Sequence, residues 1–155
     1  MQINAAMGWE WPDVEIAFRL GVATLAGMAL GLERELRGHD AGLRTHGLVA
    51  LSSAVMTVSA LLLYYQLGGA NSRLDPLRVV EGMAAAIGII AAGLIIVRGD
   101  NVQNLTSAAH IWLTATLGIA CGAGQYPVVL IGGGMALALL VLVGIAERWI
   151  PQKPR

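Results

Sequence analysis

The sequence predicts an all-α, polytopic membrane protein with about five transmembrane helices, its N-terminus outside and its C-terminus inside. The chain of 155 residues is 56% hydrophobic and only 13% charged, whereas a soluble domain carries about 25% charged residues. Its apolar residues fall into five runs close to the roughly 20 residues that a helix needs to cross a bilayer. A soluble helical bundle would need a polar face on each helix, and residues 128–145 offer none.

The five predicted spans are residues 14–32, 47–67, 77–97, 105–121 and 127–146. Asp75 and Pro76 mark the start of the third span, because aspartate accepts hydrogen bonds from first-turn amides and proline fits the first turn. The glycine-rich residues 122–127 separate the fourth span from the fifth. The expected domains are a periplasmic tail at 1–13, a transmembrane domain at 14–146 and a cytoplasmic tail at 147–155.

Small residues predict where the helices pack. Gly27 and Gly31 are four residues apart, as are Gly118 and Gly122, and this spacing lets two helix backbones approach closely in lipid. The third span is crowded with glycine and alanine. We therefore expect it to be the central helix of the bundle.

The distribution of basic residues predicts the orientation. With the N-terminus outside, the inner segments hold Arg34, Arg37, Arg44, Arg98, Arg148, Lys153 and Arg155. The outer segments hold only Arg73 and Arg78, as the positive-inside rule requires. The first 13 residues contain no lysine or arginine, so we expect no cleavable signal sequence.

Several function classes are disfavoured by the sequence. Ten basic and ten acidic residues cancel, so there is no net attraction to nucleic acid. A lone cysteine, Cys121, excludes an internal disulfide and a CxxC metal or redox site. The chain has no phosphate-binding loop, no HExxH motif and no convincing nucleophile–base pair. We expect no catalytic residue, no cofactor and no bound metal.

The candidate functional surface is the charged segment 31–46 between the first two spans, together with the start of the fourth. Its residues are Glu33, Arg34, Glu35, Arg44, Thr45, His46, Thr106 and Ser107. We expect the charges of the segment, including Arg44, to interlock with residues 104–107 as a rigid ionic cluster. The alternative is a Mg²⁺ site on the three carboxylates of the segment, which the three neighbouring arginines disfavour.

Polar side chains also fall inside the predicted spans: Arg19, Arg78, Glu81, His110 and Thr114. An unpaired charge at bilayer depth is costly, about 3 kcal/mol on insertion scales, so we expect Glu81 to pair with Arg19 or with Arg78. The alternatives are that Arg19 reaches the outer headgroups beside Glu15, one turn above it, or that these groups form an ion or proton pathway.

A polar stripe runs along the second and fourth spans. It consists of His46, Ser53 and Thr57 on one and Ser107, His110 and Thr114 on the other. Helical spacing places each set on one face, so the two sets can face each other. Two interpretations follow: hydrogen bonds between the helices, or a hydrated crevice open to the cytoplasm.

These motifs resemble the MgtC/SapB family of bacterial inner-membrane proteins. The resemblance rests on Gly31-Leu-Glu33-Arg34-Glu35, Ala41-Gly42-Leu43-Arg44-Thr45-His46, Asp75-Pro76-x-Arg78, Leu105-Thr106-Ser107-Ala108-Ala109 and Ile111-Trp112. The chain departs from the family at residues 86–93, where it lacks two glycines and a phenylalanine of the usual pattern. We expect it to match the membrane domain alone, without the cytoplasmic C-terminal domain of better-known members.

The resemblance implies a link to growth in low Mg²⁺ and, in pathogens, to survival inside host cells. It implies a non-enzymatic modulator of ion or energy homeostasis in the inner membrane. Its expected partners are the lipid bilayer, further copies of the chain and other membrane proteins such as ion-translocating ATPases, but not nucleic acid. The alternative is a small oligomeric ion or solute transporter or channel.

The predicted orientation can be tested with topology reporters. A reporter fused after Arg155 should be cytoplasmic and one inserted within residues 68–73 periplasmic, because seven of the nine basic residues assigned to one side or the other then lie inside. If both reporters were found on the same side of the membrane, the five-span arrangement would be contradicted.

Overall fold

A computed structural model describes residues 13–39, 41–71, 73, 75–98 and 101–147 of the chain. Its helices are α1 (Asp13–Leu36), α2 (Leu43–Gln66), α3 (Leu77–Leu94), α4 (Leu105–Gly122) and α5 (Tyr126–Glu147). All five are long and apolar enough to cross a membrane, which confirms the predicted fold class. The orientation stays a prediction, and most of both predicted tails (1–12 and 148–155) lies outside the described residues.

Three helix ends differ from the predicted ones by three residues or more. Residues predicted as a loop extend α1 to Leu36 and begin α2 at Leu43, so the connection between them is only residues 37–42. α3 ends at Leu94, and the strands β1 (Ile96–Arg98) and β2 (Asn101–Gln103) form an antiparallel hairpin after it. β-branched residues at 95–97 favour extended backbone over another helical turn, which explains the early end.

α4 is the central helix, and the prediction that the third span is central was wrong. α4 contacts all four other helices, and 61% of its most apolar stretch is buried, against 11% for α3. α3 buries only Met83 and Ala91. Small side chains permit close packing but do not require it. The outer side of α3 therefore has no partner among the described helices, although it is rich in small residues.

Close backbone contacts at glycine hold α1, α2 and α4 together. A Cβ atom added at Gly27 of α1 would lie 2.5 Å from the carbonyl oxygen of His46 on α2. One added at Gly122 of α4 would lie 2.7 Å from the carbonyl oxygen of Ala54. At Gly31 and Gly118 an added Cβ would likewise meet the α2 backbone. Both predicted glycine pairs therefore pack against α2, the pair on α1 from one side and the pair on α4 from the other.

Near α3, the predicted cap is present. Asp75 accepts a hydrogen bond from the backbone N–H of Leu77 at 2.9 Å, and Pro76 directly precedes the first helical residue. An aspartate here satisfies one of the free amides at the helix start. A 3-10 turn, Gly69–Asn71, precedes this segment in the connection from α2.

The glycine contacts predict the effect of a single methyl group. Gly118→Ala should lower the free energy of unfolding by about 1–3 kcal/mol, because the methyl group would overlap the α2 backbone at Ala50. Gly82→Ala is the matched control, since nothing lies within 4 Å of an added Cβ there. Thermal denaturation of the detergent-purified proteins measures both changes. Equal melting temperatures for the two variants would contradict the packing described here.

Candidate functional site

The candidate surface divides into a buried part and an exposed part. The buried part is Arg34, His46 and Ser107, and with the adjacent His110 of the polar stripe it is here called the Arg34 cluster. Arg34 lies in the last turn of α1 with 4% of its surface exposed, and its Nη2 donates a hydrogen bond to Ser107 Oγ at the start of α4. Its buried Nε has no hydrogen-bond partner. The predicted link between the charged segment and α4 is therefore made by Arg34.

The two histidines of the cluster are buried side by side. Nδ1 of His46 lies 2.8 Å from the Gly42 carbonyl oxygen, so this nitrogen carries the proton, because a carbonyl only accepts. The ring of His110 lies 6.2 Å away, nearly perpendicular to it. His46 Nε2 and His110 Nδ1 are buried and have no partner in the structure. Unpaired buried polar groups are costly, so several of them in one place point to a functional role.

The exposed part of the surface lies at the start of α2. Glu35 Oε2 accepts a hydrogen bond from the Leu43 backbone N–H at 2.8 Å, and a carboxylate at this end of a helix is favourable. A Cβ added at Gly42 would overlap the Glu35 carboxylate, so glycine here leaves room for this cap. Glu35, Arg44 and Thr45 line a shallow depression of about 330 Å³. Arg44 is exposed there, so its predicted contact with residues 104–107 was wrong.

Arg37 has a role that the sequence did not reveal. It forms an ion pair with Glu33, and its Nη2 donates to the Leu140 carbonyl oxygen of α5 at 3.2 Å. A Cβ added at Gly144 would overlap the Arg37 guanidinium. Arg37 thus connects the end of α1 to α5. The spacing of four residues from Glu33 was a usable signal for the ion pair, but nothing in the sequence pointed to α5.

Two of the three carboxylates proposed for the alternative Mg²⁺ site are engaged in other contacts. Glu33 pairs with Arg37 and Glu35 caps α2, while Asp40 lies outside the described residues. Within the described part of the chain, no three histidine, cysteine, aspartate or glutamate side chains come together as metal ligands.

At the opposite end of the bundle, Arg19 pairs with Glu15 and not with Glu81. Its Nε lies 2.7 Å from Glu15 Oε1, and its Nη1 donates to the Gly122 carbonyl oxygen of α4 at 2.9 Å. Glu81 and Arg78 are exposed on α3. The expected Arg19–Glu81 pair was wrong, because the carbonyls at the end of α4 offer a cation a partner on an adjacent helix.

The polar stripe is a packed interface. Ser53, Thr57, Ser107, His110 and Thr114 are all less than 9% exposed. Thr57 donates to the Ser53 carbonyl at 2.8 Å and Thr114 to the His110 carbonyl at 2.8 Å, each within its own helix. The faces of α2 and α4 meet as predicted, but these two threonines do not bond across the interface. Thr57 lines a cavity of about 630 Å³ together with Arg19, at the end of the bundle opposite to the charged segment.

Two cavities adjoin Arg34. One of about 520 Å³ is lined by polar residues that include Arg34, His39 and Asn104. The other, of about 880 Å³, is here called the α4–α5 cavity; at one end it is lined by Arg34, Arg37, His39 and His110, and along the rest by α4 and α5. No carboxylate of a described residue lines either cavity. Both are therefore suited to anions and poorly suited to a divalent cation.

Comparison with known proteins gives consistent results. A model described as the MgtC family matches residues 20–149. The "Putative magnesium transporter YhiD" of Escherichia coli (strain K12) is 41% identical over 127 residues, covering 81% of this chain and 59% of that protein. Protein SapB of Bacillus subtilis (strain 168) is 36% identical over 141 residues, covering 90% and 58%. Protein MgtC of Salmonella typhimurium (strain 14028s) is 35% identical over 132 residues, covering 85% and 54%.

The matches thus include most of this chain but less than two thirds of the length of these three relatives. No solved structure matches the chain.

The contact between Arg34 and Ser107 can be tested directly. Ser107→Ala removes the hydroxyl that accepts from the buried guanidinium, and we expect it to lower the free energy of unfolding by about 1–3 kcal/mol. Thr106→Ala, at the exposed neighbouring residue, should stay within about 0.5 kcal/mol of the unsubstituted protein. Denaturation of both purified variants measures the difference. A Ser107→Ala protein as stable as Thr106→Ala would show that Arg34 does not depend on this contact.

Proposed function

Because this chain belongs to the MgtC family, we propose that it modulates ion or energy homeostasis under Mg²⁺ limitation by contacting other membrane proteins. It is a multi-pass membrane protein with five membrane-spanning helices. The name of the E. coli relative links the family to magnesium. In our proposal the chain lies in the bacterial inner membrane with its N-terminus outside, and it has no enzymatic activity.

We base this proposal on the burial of the polar stripe. A small protein that carries ions by itself needs polar side chains exposed along a continuous passage. Here the polar side chains of the stripe on α2 and α4 are less than 9% exposed, and between the cavity at Thr57 and the cavity at His110 the two helix backbones touch at Gly118. This arrangement favours a compact body that acts through its surfaces.

The open face of α3 supports contact with another membrane helix. Its exposed small residues are Gly82, Ala85, Ala86, Ala92 and Gly93. A Cβ added at Gly82, Gly88 or Gly93 would meet nothing within 4 Å. In lipid, faces of small residues are where helix backbones approach each other. The bundle itself leaves this face vacant, so a further copy or a different membrane protein can pack there.

The residues that line the cavities also favour a modulator over a Mg²⁺ transporter. Mg²⁺ binds through carboxylates and retained water, whereas Arg34, Arg37 and His39 lie at the cavity walls. Guanidinium groups in the cavity wall repel a divalent cation. A transport role remains the competing function, and it is tested together with ours.

Growth at limiting Mg²⁺ tests the proposed contact surface. Gly82→Leu should abolish growth support while the protein still accumulates in the membrane, because the added side chain meets nothing inside the bundle but blocks a partner helix. Gly134→Leu on α5 is the matched control, since an added Cβ there also meets nothing within 4 Å. Full growth support by Gly82→Leu would contradict a partner on this face.

Flux through the purified protein separates the two functions. Proteoliposomes that contain this chain alone should take up Mg²⁺ no faster than protein-free vesicles, because a modulator needs its partner. Saturable uptake by the purified chain, lost in Arg34→Gln, would establish transport and overturn our proposal.

A further inference from the structure

The α4–α5 cavity has two chemically different parts. Its polar end holds Arg34, Arg37, His39 and His110, and its other end is formed by apolar residues such as Leu113, Met135 and Leu139. Met135 and Leu139 are 69% and 61% exposed. The apolar part therefore faces the surroundings of the bundle, which for a membrane-spanning helix are lipid chains.

The polar end presents groups that lack partners. Arg34 is buried, its Nε has no hydrogen-bond partner, and no described carboxylate forms an ion pair with it. His110 is 5% exposed and its Nδ1 is unpaired. Arg37 is already engaged by Glu33, so the charge available for a ligand is that of Arg34. An isolated buried guanidinium is strongly stabilised by an anion.

A free anion would use only one end of this cavity. An amphipathic anion would use both, with its charged group at Arg34 and His110 and its apolar chain along Leu113 and the exposed side of α5. In a bilayer the abundant molecules with this shape are anionic phospholipids, and basic pockets between transmembrane helices are a known way of binding their headgroups. The Arg37 hydrogen bond to Leu140 connects the end of α1 to α5 at the polar end of this cavity.

We propose that the α4–α5 cavity binds one anionic phospholipid, with its phosphate at Arg34 and His110 and an acyl chain against α5. With the N-terminus outside, this lipid belongs to the cytoplasmic leaflet. The site goes beyond the proposed function, because it lies on α4 and α5 and leaves the face of α3 free. Lipid binding and growth support can therefore fail separately.

The test is native mass spectrometry of the full chain, purified in detergent and titrated with phosphatidylglycerol or phosphatidylethanolamine. We expect one phosphatidylglycerol per chain, bound about tenfold more tightly than phosphatidylethanolamine. Both lipids bring a phosphate, but the ammonium group of phosphatidylethanolamine would lie close to the Arg34 guanidinium, whose charge repels it. Inorganic phosphate is titrated as a third probe. Equal binding of the two lipids, or binding of phosphate without preference for phosphatidylglycerol, overturns the proposal.

Two pairs of variants locate the site. Arg34→Gln removes the charge but keeps a donor for Ser107, and it should reduce the lipid preference about tenfold. Arg44→Gln removes the same charge from the exposed start of α2 and should leave the preference unchanged. Ala136→Phe fills the apolar part of the cavity and should prevent lipid binding. Ala138→Phe on the exposed side of α5 should not.

If the Arg34→Gln protein does not accumulate, the comparison of Ala136→Phe with Ala138→Phe tests the lipid site. Loss of the phosphatidylglycerol adduct in Ala136→Phe but not in Ala138→Phe supports the site. An adduct that persists in Ala136→Phe, or that is lost equally in both, places the lipid elsewhere and overturns the proposal.

Discussion

The close approach of α2 to α1 on one side and to α4 on the other is the constraint on which the rest of the structure depends. Lipid is as apolar as leucine, so burial of apolar side chains does little to hold membrane helices together. Here the helices meet at glycines 27, 31, 118 and 122, where an added Cβ would overlap backbone atoms or Cβ atoms of α2. Short distances between backbones allow many dispersion contacts. In lipid these contacts stabilise the association of helices, as the hydrophobic effect does in water.

This contact determines where the polar residues lie. Since α4 packs tightly on α2, Ser53, Thr57 and Thr114 are enclosed, and the two threonines satisfy their hydroxyls within their own helices. The same contact brings Ser107 to the end of α1, where Arg34 reaches it. α3 and α5 pack at the periphery and keep wide apolar faces, which are the surfaces left for lipid and for other proteins.

The sequence was sufficient for the spans, the glycine contacts and the facing polar stripe, because each depends on a local period or on a spacing within one helix. It was insufficient where two distant segments compete for one group. Arg19 could pair with Glu15 or Glu81, and only the adjacency of α1 and α4 favours the position beside the Gly122 carbonyl. Arg34 and Arg44 looked equivalent, but they differ once α1 is known to continue to Leu36.

The charged segment therefore contains side chains of two kinds. Glu33, Arg37 and Glu35 are used to fix the ends of α1, α2 and α5 relative to each other. Arg34, the second kind, is buried beside a cavity together with His110 of α4, and each has a side-chain nitrogen without a hydrogen-bond partner. A protein is often as stable or more stable with an apolar residue in place of a buried charged one. A buried cation beside a partly lipid-facing cavity therefore fits a role in binding an anion. The contacts of Glu33, Glu35 and Arg37 hold the surrounding helix ends in place.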